Sequence, residues 1–162
     1  MPDEHSQVQA TSSSIASSKQ PRNVVVQETR HSKFQQQISV GPHRLLADEP
    51  AAAGGEDSGP GPYDLVLAGL GACTAMTMRL YAERKSLPLD RVTVTLTHNK
   101  IYAQDCAECE TKAGMLDQIE RVITVEGDLD ADARQKLMEI ADKCPVHRTL
   151  TSEIHIVTRA AD

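Results

Sequence analysis

GPYDLVLAGLGACTAMTMRLYAERK, residues Gly61 to Lys85, is a long run of apolar and small residues with one cysteine, Cys73, at its centre. It reads as a helix. Pro62 suits the first helical turn, where its missing N–H has no partner to lose. Asp64 in the same turn complements the positive end of the helix dipole, and Arg84 and Lys85 complement the negative end. Pro88 closes the element. From Leu65 to Met78 the helix is apolar on nearly every side, which predicts burial on most of its surface. Gly69 and Gly71 each cost about 1 kcal/mol of helix propensity against Ala. The expectation is that another backbone packs closely against them.

Upstream, Asn23 to Thr29 (NVVVQET), Lys33 to Val40 (KFQQQISV) and His43 to Asp48 (HRLLAD) predict a small antiparallel meander. Residues 1–20, rich in Ser and Gln, predict a disordered tail, with one domain over residues 21–162. Glu49 to Pro62 is a Pro/Gly loop in which no regular structure is expected. Downstream, Val92, Val94 and Leu96 alternate with Thr93, Thr95 and Thr97 in a half-buried strand. Met115 to Leu129 predicts its partner strand, with DCAECETKAG as the connection. Asp130 caps a second helix ending near Cys144. PVHRTLTS adds one or two helical turns, and EIHIVTR (Glu153 to Arg159) a last strand. The order βββ-α-ββ-α-β is an α+β arrangement, with helices gathered on one face.

The formal net charge of −6 and the scarcity of aromatics (Phe34, Tyr63, Tyr81, Tyr102) argue against nucleic acid and anionic membrane as partners. No signal peptide is visible in residues 1–20. The apolar run from Leu65 to Met78, interrupted by Gly69, Gly71 and Thr74, falls short of the ~20 residues of a membrane span. The expectation is a soluble cytoplasmic protein whose cysteines are reduced at rest.

The four cysteines carry the candidate chemistry. Cys144 directly precedes Pro145, so it stands at a helix N-cap, where backbone N–H groups would stabilise a thiolate. A cap that happens to be Cys is the bland alternative. Cys73 lies almost three turns into its helix, beyond the reach of the dipole, and could equally be a small hydrophobe of the core. Asp64 falls on the opposite side of the helix at about 100° per residue. A cation activating Cys73 would have to come from another segment, with Arg30, Lys33 and Arg44 as candidates. Cys106 and Cys109 form a single C-x-x-C, half of a zinc knuckle or a redox pair, with structural use the plainest reading. The six histidines form no metal-ligand motif, and no phosphate-binding or nucleophile-elbow signature is present.

The Gly61–Lys85 stretch and ADKCPVHRTLTSEI together resemble the central helix and the second cysteine segment of the OsmC/Ohr family, over roughly residues 23–159. The resemblance implies an OsmC-like α+β fold of antiparallel sheets around a long central helix, built as an intertwined homodimer. It implies Cys73 as peroxidatic nucleophile and Cys144 as resolving cysteine. It also implies Arg30 as the activating guanidinium, an organic hydroperoxide as substrate and an external dithiol as reductant, with no metal and no cofactor. Where the family carries a Glu at the start of the helix, this chain has Tyr63, assigned to substrate binding. Because of that change, a non-catalytic dimeric module that binds a small hydrophobic ligand or senses redox state is the alternative. A metal-bound structural protein using Cys106 and Cys109 is a third.

Overall fold

The computed structural model describes residues 23–161; the expected tail at residues 1–20 lies outside them. Strands β1 (Val24–Glu28), β2 (Gln36–Val40) and β3 (His43–Ala47) form an antiparallel meander in that order. The long helix α1 (Pro62–Arg84) follows. Two long antiparallel strands, β4 (Leu89–Tyr102) and β5 (Met115–Gly127), make a second sheet, and α2 (Ala131–Ala141) and α3 (Pro145–Leu150) complete the order. The fold is α+β, with antiparallel sheets and a long helix.

The core is built where α1 lies across β4 and α2. Met78, Ala82, Leu89, Leu129, Leu137 and Ala141 form one buried cluster, with Ile123 and Val125 of β5 packed against it. Alternation places Val92, Val94 and Leu96 of β4 on the face toward α1, as period-two patterning requires. Leu96 stands opposite Arg121 in the ladder, and Lys100 opposite Asp117. Helix α2 is capped by Asp130, whose carboxylate accepts the Ala133 N–H at 2.7 Å. Arg134 then clamps its start to the end of β5, donating to the carbonyls of Val125, Gly127 and Leu129.

Four expectations are corrected. The Pro/Gly loop is ordered: a 3-10 turn spans Ala51–Ala53, and the buried Asp48 carboxylate gathers the N–H groups of Glu49, Glu56 and Ser58 and the Ser58 hydroxyl. The loop doubles back so closely that a Cβ on Gly55 would stand 1.9 Å from the Glu49 carbonyl oxygen. Within the chain itself neither helical glycine meets a second backbone. A Cβ on Gly71 would stand 2.8 Å from the Leu96 side chain, and one on Gly69 would meet nothing within 4 Å. The segment 153–159 forms no strand, because no sheet edge of its own chain receives it; Ile156 is 81% exposed. Finally, α1 is 23 residues long, and its most apolar 18-residue window has a mean hydropathy of 1.4. By length and composition it could therefore cross a membrane, yet here it is packed against β4, α2 and α3.

Candidate functional site at the two free cysteines

Cys73 on α1 and Cys144 at the start of α3 are free thiols, and the fold brings them together. They are neighbours where α1 packs on α3, close enough for each thiol to shift the acidity of the other. Cys144 is fully buried, whereas Cys73 is half-buried. Pro145 opens α3 at its first position, as the sequence predicts. No formal side-chain cap bond closes at Cys144. The N–H groups of Val146 and His147 act on its sulfur at longer range, and the Thr74 hydroxyl approaches it from α1.

These surroundings separate the two thiols. Burial pushes Cys144 up, but the contact with Cys73, the two amides and the Thr74 hydroxyl outweigh it and hold Cys144 below the ordinary 9.0. Burial pushes Cys73 up, and the contact with Cys144 adds to that, so its thiol lies above 9.0. The two thiols therefore titrate as a coupled pair, whose protons leave in two steps on either side of the ordinary value. The Val146 N–H partly offsets the rise, while the Thr77 hydroxyl is given to the Cys73 carbonyl at 2.7 Å.

The other two candidates stand elsewhere. Arg30 sits in the β1–β2 turn in a left-handed conformation, φ 63°, with its side chain 85% exposed beside Glu28. Tyr63 lies in the first turn of α1, stacked on His98 at 4.3 Å between ring centroids. His98 in turn bonds Asp117 at 2.9 Å, and Lys100 pairs with the same carboxylate oxygen at 2.9 Å. Both contacts hold the Asp117 carboxyl below the usual range.

The guanidinium bonded to residues next to the cysteines is Arg121 of β5. It donates to the Thr74 hydroxyl at 3.0 Å and to the Ala141 carbonyl at 3.2 Å, and it pairs with Asp142 at 2.6 Å. The sequence carries a signal for it. Ile119, Arg121, Ile123 and Val125 share one face of an alternating strand, so an arginine occupies a position where the pattern calls for an apolar residue. Beside it, Leu70, Ile119 and Leu150 with Asp117, Arg121 and His147 line a cavity of about 340 Å³.

Cys106 and Cys109 are not reduced, as the sequence reading expects, but bridged to each other, Cα to Cα 5.4 Å, in the loop between β4 and β5. The two-residue spacing turns the chain enough to bring them within bridging distance. Among the described residues, no three His, Cys, Asp or Glu side chains gather in a way that could hold a metal ion.

The described domain matches solved structures over most of its length. An OsmC-like protein from Mycoplasma pneumoniae superposes with a TM-score of 0.63 at 17% identity, covering 82% of this chain and 88% of that one. An organic hydroperoxide resistance protein OsmC from Legionella pneumophila gives 0.58 at 20% identity, covering 82% and 92%. The organic hydroperoxide resistance protein OhrB of Bacillus subtilis gives 0.55 at 21%, covering 80% and 90%. At these identities the likeness is one of fold. Among curated proteins none matches the chain. The family model of OsmC-like proteins matches residues 55–159, which contain α1, both free cysteines and the β4–β5 sheet, and the chain belongs to that family.

Proposed function

We propose that the protein reduces organic hydroperoxides with Cys73 and Cys144 as its working pair. The observation that carries the reading is a pair of free thiols, one half-buried on α1 and one buried at the start of α3, near enough to shift each other's acidity. The names of the Legionella and Bacillus structures, both organic hydroperoxide resistance proteins, supply the substrate class.

The steps balance as follows. The Cys73 proton moves to the Cys144 thiolate as the Cys73 sulfur attacks the distal oxygen of ROOH. The O–O bond breaks, the departing alkoxide takes a proton from solvent and leaves as ROH, and Cys73 becomes a sulfenic acid. The Cys144 sulfur then attacks the Cys73 sulfur, water leaves, and a disulfide forms. An external dithiol returns two electrons and two protons by thiol–disulfide exchange. Cys144 thus serves first as base and then as resolving nucleophile.

The working form is proposed to be a cytoplasmic homodimer. Val24, Val25 and Val26 are each more than half exposed, as are Met76 on α1 and Ile154, Ile156 and Val157 beyond α3. Exposed apolar surface on this scale favours a second copy. Arg30 and Tyr63 are proposed to act on substrate in that assembly, since both project from the surface of their own chain.

One equivalent of cumene hydroperoxide added to protein with free Cys73 and Cys144 tests the reading, with disulfides mapped by mass spectrometry. A rapid Cys73–Cys144 bond, absent in Cys73→Ser, supports it. No oxidation over minutes sinks it. That outcome favours the second reading, a dimeric module that binds a small hydrophobic ligand. Two observations speak for that alternative: Tyr63 is committed to His98, and the 340 Å³ cavity has Leu70, Ile119 and Leu150 in its wall.

A further inference from the structure

Arg121 makes three contacts, one to the residue after Cys73 and two to the turn that leads into Cys144. Its Nη1 donates to the hydroxyl of Thr74, the residue after Cys73. Thr74 is fully buried, and its hydroxyl donates onward to the Leu70 carbonyl at 2.8 Å. Nη1 also donates to the Ala141 carbonyl, and that same oxygen accepts the Cys144 N–H at 3.3 Å. Nη2 holds the Asp142 carboxylate, at the end of α2. One planar group therefore fixes the segment that carries Cys73 and the turn that carries Cys144. A guanidinium suits this task because its donors lie in a rigid fork. With its side chain only 13% exposed, Arg121 has little freedom to leave these partners.

We infer that Arg121 is a positioning residue for disulfide closure: it holds Thr74 and the Ala141 carbonyl so that the Cys144 sulfur stays in line with Cys73. The inference rests on the cysteine pair proposed above but concerns its second step. Attack on the hydroperoxide needs Cys73 to be exposed and able to pass on its proton. Closure needs two sulfurs from different elements to meet in line, and that demands a fixed α1–α3 register. Loss of Arg121 should therefore slow closure more than the first step.

The test compares Arg121→Gln and Arg121→Lys with the parent chain, using two oxidants. With cumene hydroperoxide, sulfenic acid at Cys73 is trapped by dimedone and the disulfide is followed by mass. With diamide, closure proceeds from the two thiols without any hydroperoxide. In Arg121→Gln, closure should slow roughly tenfold with both oxidants, as a displacement of about 1 Å or less can bring about. Trapped sulfenic acid should accumulate, and the rate of its formation should stay within about twofold of the parent. Arg121→Lys should recover part of the rate, since an ammonium keeps the charge but lacks the fork. Unchanged closure in a folded Arg121→Gln overturns the inference, as does a slowing of the first step equal to that of the second. Should Arg121→Gln fail to fold, Thr74→Val carries the test, because it removes the hydroxyl and leaves the Ala141 and Asp142 contacts in place. An unchanged diamide rate in that variant overturns the inference too. If the parent closes with diamide but ignores hydroperoxide, the peroxidase reading fails, and the diamide rates still judge Arg121.

Discussion

Cys73 and Cys144 are neighbours where α1 packs on α3 and titrate as a coupled pair, Cys144 shifted below the ordinary thiol value of 9.0 and Cys73 above it. Thiolate absorbance in the ultraviolet should therefore rise in two steps, one on each side of 9.0. A single two-thiolate step at 9.0 would contradict the contact. The linked stability effects oppose each other. The depressed Cys144 stabilises the fold above its unfolded value, and that support is lost as pH falls through the lowered one. The raised Cys73 stabilises below its unfolded value, and that support is lost as pH rises through the raised one.

Met78 and Leu137 are both fully buried in the cluster that seats α1 on α2. Truncating either to Ala removes buried methylenes and leaves a void. Urea unfolding at fixed protein concentration should show a loss of about 2–5 kcal/mol for each. A loss below about 1 kcal/mol would mean that the site collapses around the smaller side chain.

The two helical glycines should respond in opposite ways. Gly69→Ala adds a methyl where the chain leaves space, so thermal unfolding of the monomeric fraction should show a gain of about 1 kcal/mol from helix propensity. Gly71→Val drives two methyl groups toward Leu96 and should cost about 1–3 kcal/mol. If Gly69→Ala instead weakens association, measured by sedimentation across a dilution series, the open side of Gly69 is where a second copy sits.

Ile156 is 81% exposed, so Ile156→Asp has little to disturb within its own chain. Circular dichroism should be unchanged. In the proposed homodimer the same carboxylate would be buried without a partner, so dissociation should become readily measurable by sedimentation. Unaltered association would place the contact between copies elsewhere, for instance on Val24 to Val26.

The elements were legible wherever local pattern and packing agree. Pro62, Asp64 and Arg84 mark the ends of α1, and the Val/Thr alternation marks β4. Asp130 marks the start of α2, and Pro145 that of α3. The pairing of Cys73 with Cys144 came from family likeness rather than from spacing, because their contact depends on how α3 packs against α1. Arg121 went unread as a site residue, although its inward place on β5 was visible, since nothing local says that the residues it grips lie beside cysteines. The order of the Glu49–Pro62 loop was hidden for a similar reason: it depends on Asp48, buried by the very loop it organises. The segment 153–159 has strand composition, but composition alone supplies no hydrogen-bonding neighbour.

The contacts of Arg121 also bear on the order in which the chain can assemble. The β4–β5 hairpin closes between sequence neighbours, and α1 precedes it directly, so these parts form through contacts of short separation. The bond from Arg121 to Thr74 spans 47 residues and the one to Asp142 spans 21. The packing that seats Thr74 beside Cys144 therefore exists only once α1, β5 and the end of α2 have met. A chain in which those parts have not met carries two independent thiols in place of one coupled pair, so the chemistry proposed for them depends on completed tertiary structure.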